Sequence, residues 1–249
     1  GSEADVSHLA NAGAPEDLLR ALDRHVGNPE IQKVGLSALA ALVGGRPAVA
    51  TWMVGLGAVQ TIQTSVRSFE SDAALALFVS RALLAVASAH ALSAATNTAT
   101  AAVGPSLGEP HRSSAADILL GVLERYPCDL DVALSACKAL CHVVADADAA
   151  RATPAALAAL YVHRANLLMC RVCCRLVQIL CAASQPSRSH VLATTAVEDI
   201  AAIIQRHPTR IEVVTEACAA LERLASSAAE EWSADHSGPS GASVAALFF

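Results

Sequence analysis

Four cysteines crowd into "CRVCC" and the turn beyond it, Cys170, Cys173, Cys174 and Cys181, and a second group sets Cys137 and Cys141 beside His142. Thiolate and imidazole are the ligands that zinc prefers, and a cysteine of lowered pKa is a nucleophile or a redox switch. Zinc sites, however, usually draw Cys-x2-4-Cys pairs from short chelating turns repeated at a distance. Both groups contain the spacing, but they sit in the middle of expected helices, on the apolar stripe, and not on turns. Catalytic signatures are missing as well: there is no Gly-x-Ser-x-Gly, His-Glu-x-x-His or phosphate loop. Gly55-x-Gly57 in "VGLGAV" lacks a third glycine and a preceding strand. The expectation is a protein that is not an enzyme, with no catalytic residue, no metal and no cofactor.

The elements that position these residues follow from composition and period. The chain is 54% hydrophobic but only 3% aromatic, so its apolar content is mostly Ala, Leu and Val. That composition suits helices packed closely on helices. The apolar runs Ala73 to Ala95 and 155–183 carry Arg81 and His90, and Arg164, Arg171 and Arg175, so neither is expected to span a membrane. A net charge of −6 with only 17 Lys and Arg, and no basic block, argues against nucleic acid as a partner. Gly1-Ser2 reads as the remnant of a cloning tag.

One phrase recurs. "GAPEDLLRAL" (13–22), "GAVQTIQTSV" (57–66) and "TAVEDIAAII" (195–204) each set a small pair four residues ahead of Leu18, Ile62 or Ile200. Glu16-Asp17 and Glu198-Asp199 then sit in first helical turns, where acidic groups complement the helix dipole. A second pattern follows: an aliphatic residue, a small one at +4, apolar at +5 and +8, small or apolar at +7. It reads Ile31, Gly35, Leu36, Ala38, Leu39, and recurs from Phe78, Val132, Met169 and Val213. These offsets share one face of a 3.6-residue helix, so each copy predicts a helix burying one stripe, with its closest neighbours at the small +4 residue. The +4 positions, 35, 82, 136, 173 and 217, are 47, 54, 37 and 44 residues apart, near the period of helical solenoid repeats. Proline turns at Gly27-Asn28-Pro29, Tyr126-Pro127-Cys128 and His207-Pro208 make the unit helix, turn, helix, and Ser184-Gln185-Pro186-Ser187 reads as another break. The excess length before the third copy is assigned to a flexible insertion over 93–114.

On this reading the cysteines are stripe residues. Cys173 stands where another copy has Ala136, and Cys137 and Cys218 where the first has Leu36. Free cysteine packs as a small hydrophobe, and such thiols point to a reducing compartment, the cytoplasm.

"GAVQTIQTSVRSFESDAALALFVSRALLAVA" (57–87) resembles the armadillo repeat, and the likeness covers most of 13–226, with the opening phrase reduced to "TPAALAAL" at 154–161. The resemblance implies an all-α, right-handed α-solenoid of about five repeats that works as a protein-protein interaction scaffold or adaptor. It also implies that +6 and +10 of the stripe helix face a concave groove. Those positions hold Ser37, Leu84, Lys138, Arg175 and Ala219, and Ala41, Ser88, His142, Ile179 and Arg223. The Trp and Asn by which nuclear-import members clamp a peptide are absent from all ten, which counts against the runner-up, a karyopherin-like cargo adaptor. Lys138, His142, Arg175 and Arg223 suit an acidic protein or peptide, whereas Ser37, Ala41, Leu84 and Ser88 suit close backbone approach. The alternative from another class is a metal- or redox-responsive sensor on helix 168–182. Residues 1–13 are expected to be lead-in, 14–226 the repeat domain, and 227–249 a linker and apolar tail or truncated repeat. Dimerisation is expected through that C-terminal end.

Overall fold

The computed structural model describes residues 12–97 and 108–236 together with His8, and among them every regular element is an α-helix. In order these are α1 (Ala14–Arg24), α2 (Pro29–Val43), α3 (Pro47–Gly55), α4 (Ala58–Ser68), α5 (Ala73–Asn97), α6 (Glu109–Arg125), α7 (Leu130–Val143), α8 (Asp146–Val162), α9 (Leu167–Ala183), α10 (Gln185–Leu192), α11 (Ala196–Arg206) and α12 (Ile211–His236).

The five stripe copies are α2, α5, α7, α9 and α12. Each packs on the next, α2 on α5, α5 on α7, α7 on α9 and α9 on α12, and a second series of contacts links α1, α4, α6, α8, α10 and α11. All five small +4 residues are buried. At Gly35 the approach is so close that a Cβ would lie 2.4 Å from Leu22 Cδ2 on α1, which is why that position has no side chain. Four stripe helices share a start signal that the repeat pattern did not register: an Asn or Asp three residues before a first-turn amide. Asn28 accepts from the amides of Glu30 and Ile31, Asp72 from Leu75, Asp129 from Asp131 and Val132, and Asn166 from Met169. The opening phrase has a local cause at two of its three sites. Gly13 and Gly57 hold φ of 85° and 90°, open to glycine at little cost, whereas Thr195 at −74° needs no such freedom.

Several expectations need correction. The two-helix unit is incomplete, because the short helices α3 and α10 precede the opening helices α4 and α11. "SQPS" is accordingly a helix start: the Ser184 hydroxyl accepts from the Ser187 amide and Pro186 occupies the first turn of α10. The insertion is shorter than 93–114, since α5 runs to Asn97 and α6 begins at Glu109. The remaining 98–107 lie outside the described residues. Likewise α12 continues past 226 to His236, while the lead-in, apart from His8, Ala12 and Gly13, and the tail 237–249 lie outside them. By length and composition Ala73–Ala91 of α5 would cross a membrane despite Arg81 and His90, but it is one such stretch among the described residues, half buried, and packed on α2 and α7. Cys218 is exposed, although its counterparts Leu36, Leu83, Cys137 and Cys174 are all buried. Cys137 packs on Cys173 of the following stripe helix, whereas no described helix follows α12.

Candidate functional site

Of the eight groove residues expected from the sequence, the fold brings four together. Leu84 on α5, Lys138 and His142 on α7 and Arg175 on α9 line one cavity of about 320 Å³, joined by Cys141, Arg171, Val172 and Glu216. Lys138 and His142 stand one turn apart on α7, and Arg171 and Arg175 one turn apart on the adjacent α9, so basic side chains of both helices line the same cavity. The same spacing could have found Arg171, which sequence reading missed. The other four lie elsewhere. Ser37 and Ala41 are exposed on α2, and Ser88 is half-buried on α5, where its hydroxyl donates to the Ala85 carbonyl at 3.2 Å. Arg223 is exposed on α12, outside the cavity lining, with its charge near Cys181.

The charges in the cavity are unequally engaged. Arg171 pairs with Glu212, and the Gln178 amide donates to both the carboxylate and the carbonyl of Glu216, at 2.9 and 2.8 Å. Lys138 and Arg175 have no hydrogen bond or ion pair among the described residues. Burial holds the His142 pKa below its usual value, and the Arg175 charge pushes it the same way, so the ring is neutral at pH 7. The Cys141 thiol is pushed up to about 12, chiefly by burial. At neutral pH the cavity thus presents two unengaged cations, a neutral imidazole that can donate or accept, and the apolar walls of Leu84 and Val172.

The cysteine cluster has a different character. Cys137, Cys170, Cys173, Cys174 and Cys181 are all buried, with Cys137 of α7 hydrogen-bonded to Cys173 of α9. That contact and burial raise the Cys173 pKa, and burial drives Cys174 to about 12 and Cys181 to about 11. Reactive cysteines require the opposite shift. Among the described residues no three His, Cys, Asp or Glu side chains converge as a metal site would require.

No protein-family model matches the chain, and no curated protein or solved structure matches it either. The fold and the cavity define an all-α protein of serially packed helices with a cationic recess between its stripe helices.

Proposed function

We propose that the chain is a non-enzymatic interaction scaffold, a right-handed α-solenoid of about five armadillo-like repeats, that binds an acidic segment of a partner protein along its stripe helices. The observation that carries this reading is the pair Lys138 and Arg175: two unengaged cations on adjacent stripe helices, facing one cavity in a chain of net charge −6. Cations without internal partners in an acidic protein favour an anionic ligand and speed its encounter. The serial contacts of the stripe helices support the solenoid, because one helix pair cannot bury its apolar face alone. Without a Trp and Asn ladder, charge takes over the holding of an extended segment. The free state of all eight cysteines supports a cytoplasmic location. A second copy, if it binds through the C-terminal end, would meet the exposed Ile211 and Cys218 of α12.

The test is fluorescence anisotropy with a labelled Glu-rich peptide of alternating Glu and Leu. Lys138→Glu combined with Arg175→Glu is expected to weaken binding by about 30-fold with an unchanged helical circular dichroism spectrum. Equal binding by wild type and variant would refute the proposal.

A further inference from the structure

A second cavity, of about 280 Å³, opens among the other series of helices, between α4, the start of α5 and α6. Its floor is apolar: Val66, Phe69, Leu75, Ile118 and Val122, of which Leu75, Ile118 and Val122 are buried. The charges on its rim are largely matched against one another. Arg125 donates to the Glu70 carbonyl at 2.9 Å and to its carboxylate at 3.2 Å, and Asp117 accepts from Arg151 at 2.7 Å. Tyr126 also donates to the Glu70 carbonyl, at 2.8 Å. One rim charge is left over. Arg67, exposed at the end of α4, has no hydrogen bond or ion pair among the described residues.

Gly121 lies on the cavity wall in the interior of α6, where glycine is the worst helix former after proline. Its backbone does not need glycine, because its φ is not positive. Packing does not need it either, since a Cβ there would meet no atom within 4 Å. This is the reverse of Gly35, which Leu22 crowds to 2.4 Å. Gly121 is exposed, and a side chain there would project into open space at the cavity wall.

We propose that this cavity is a binding site for a small apolar monoanion, a single aromatic ring system or short branched acyl group whose one carboxylate pairs with Arg67. The volume, about 280 Å³, lies just below the usual range for ligand pockets of about 300–1,000 Å³, which suits a compact molecule and not a nucleotide or a long acyl chain. The apolar floor takes the body of the ligand. Because the Glu70 and Asp117 carboxylates already accept from arginines, the unmatched guanidinium sets the sign of the ligand's charge.

Isothermal titration calorimetry with naphthoate, and with the uncharged naphthalenemethanol, tests this on the full chain. Naphthoate is expected to bind wild type one-to-one with a Kd of about 1 mM or tighter. Gly121→Leu, which fills the recess and improves helix propensity, is expected to weaken both probes by at least about tenfold, with helical circular dichroism retained. Arg67→Gln, at an exposed site that tolerates substitution, is expected to weaken naphthoate about fivefold and leave naphthalenemethanol within about twofold. Three results would overturn the site: no saturable heat with wild type, equal naphthoate affinity in folded Gly121→Leu, or equal loss of both probes in Arg67→Gln. Naphthoate affinity that falls as protein concentration rises would also overturn it, and would assign the cavity to a second copy of the chain.

Discussion

The N-terminal and C-terminal halves of the molecule close their interiors by opposite means. Between α1, α2 and α4 the interior is tied by a buried amide: Gln32 donates to the carbonyls of Leu22 at 2.7 Å and His25 at 3.0 Å, and accepts from the Ser65 hydroxyl at 2.5 Å. Between the stripe helices α7 and α9 the interior is filled by thiols, Cys137 against Cys173 with Cys141 and Cys174 beside them. A directed polar tie fixes helix placement but leaves its partners short of a bond if it is cut, whereas thiols fill space without direction. The surfaces are more alike. In the N-terminal half Lys33 pairs with Asp72 at 3.0 Å while Arg67 has no partner among the described residues, and in the other half Arg171 pairs with Glu212 while Lys138 and Arg175 have none among them. The N-terminal tie joins three helices through one side chain.

The largest effect should come from cutting the polar tie. Gln32→Leu removes all three bonds and takes from the Leu22 carbonyl its buried side-chain donor, while His25 keeps the Asn28 amide and Ser65 the Thr61 carbonyl; it is expected to cost about 1–3 kcal/mol in urea unfolding, with the loss centred on α1, α2 and α4. A cost under about 1 kcal/mol would show that the two interiors do not differ in kind.

The thiol-filled half is tested by reactivity. With Cys141 and Cys174 pushed up to about 12 and only Cys128 and Cys218 exposed, a disulfide reagent at pH 8 should titrate two fast thiols of eight in the native state and all eight in urea. Fast reaction at Cys173 or Cys174 would favour a redox sensor over a packed interior.

The smallest effect concerns His142. Its folded pKa lies below 6.5, so as pH falls through 6.5 the unfolded chain takes up the proton first, and stability declines. Native protein that does take up the proton gains a cation in the cavity beside Lys138, Arg171 and Arg175. Acidic-peptide affinity is therefore expected to rise about two- to fivefold from pH 7 to pH 5.5, and His142→Asn to remove that rise. A rise that persists in His142→Asn would place the titrating group elsewhere.

What could be read from the sequence was whatever repeats with a period. The residues at 35, 82, 136, 173 and 217 are buried as the 3.6-residue offsets require, and +6 and +10 on α5, α7 and α9 converged on one cavity at Leu84, Lys138, His142 and Arg175. The same offsets failed at Ser37 and Ala41, on α2, which does not border the cavity, and at Ser88 and Arg223, which lie one and two turns beyond Leu84 and Glu216 on helices that do. Helices α3 and α10 escaped notice because nine and eight residues make little more than two turns, too few for a period to stand out. Their prolines, Pro47 and Pro186, start helices that were read as breaks or not at all. Cys218 shows the limit of pattern itself: the position is equivalent in sequence, but burial depends on a following helix. The cavity beside Gly121 left no periodic trace, because what distinguishes it is a missing side chain.

The central claim, that an acidic segment lies against α7 and α9, is tested most directly by photo-crosslinking. A Glu-rich peptide carrying a diazirine leucine at its centre, bound at low ionic strength and irradiated, would be mapped by mass spectrometry. The account predicts adducts at the cavity lining, at Leu84, Lys138 to His142 and Arg171 to Arg175, and their loss in Lys138→Glu with Arg175→Glu. Adducts concentrated on α4 and α6, or spread evenly over the surface in both proteins, would contradict it.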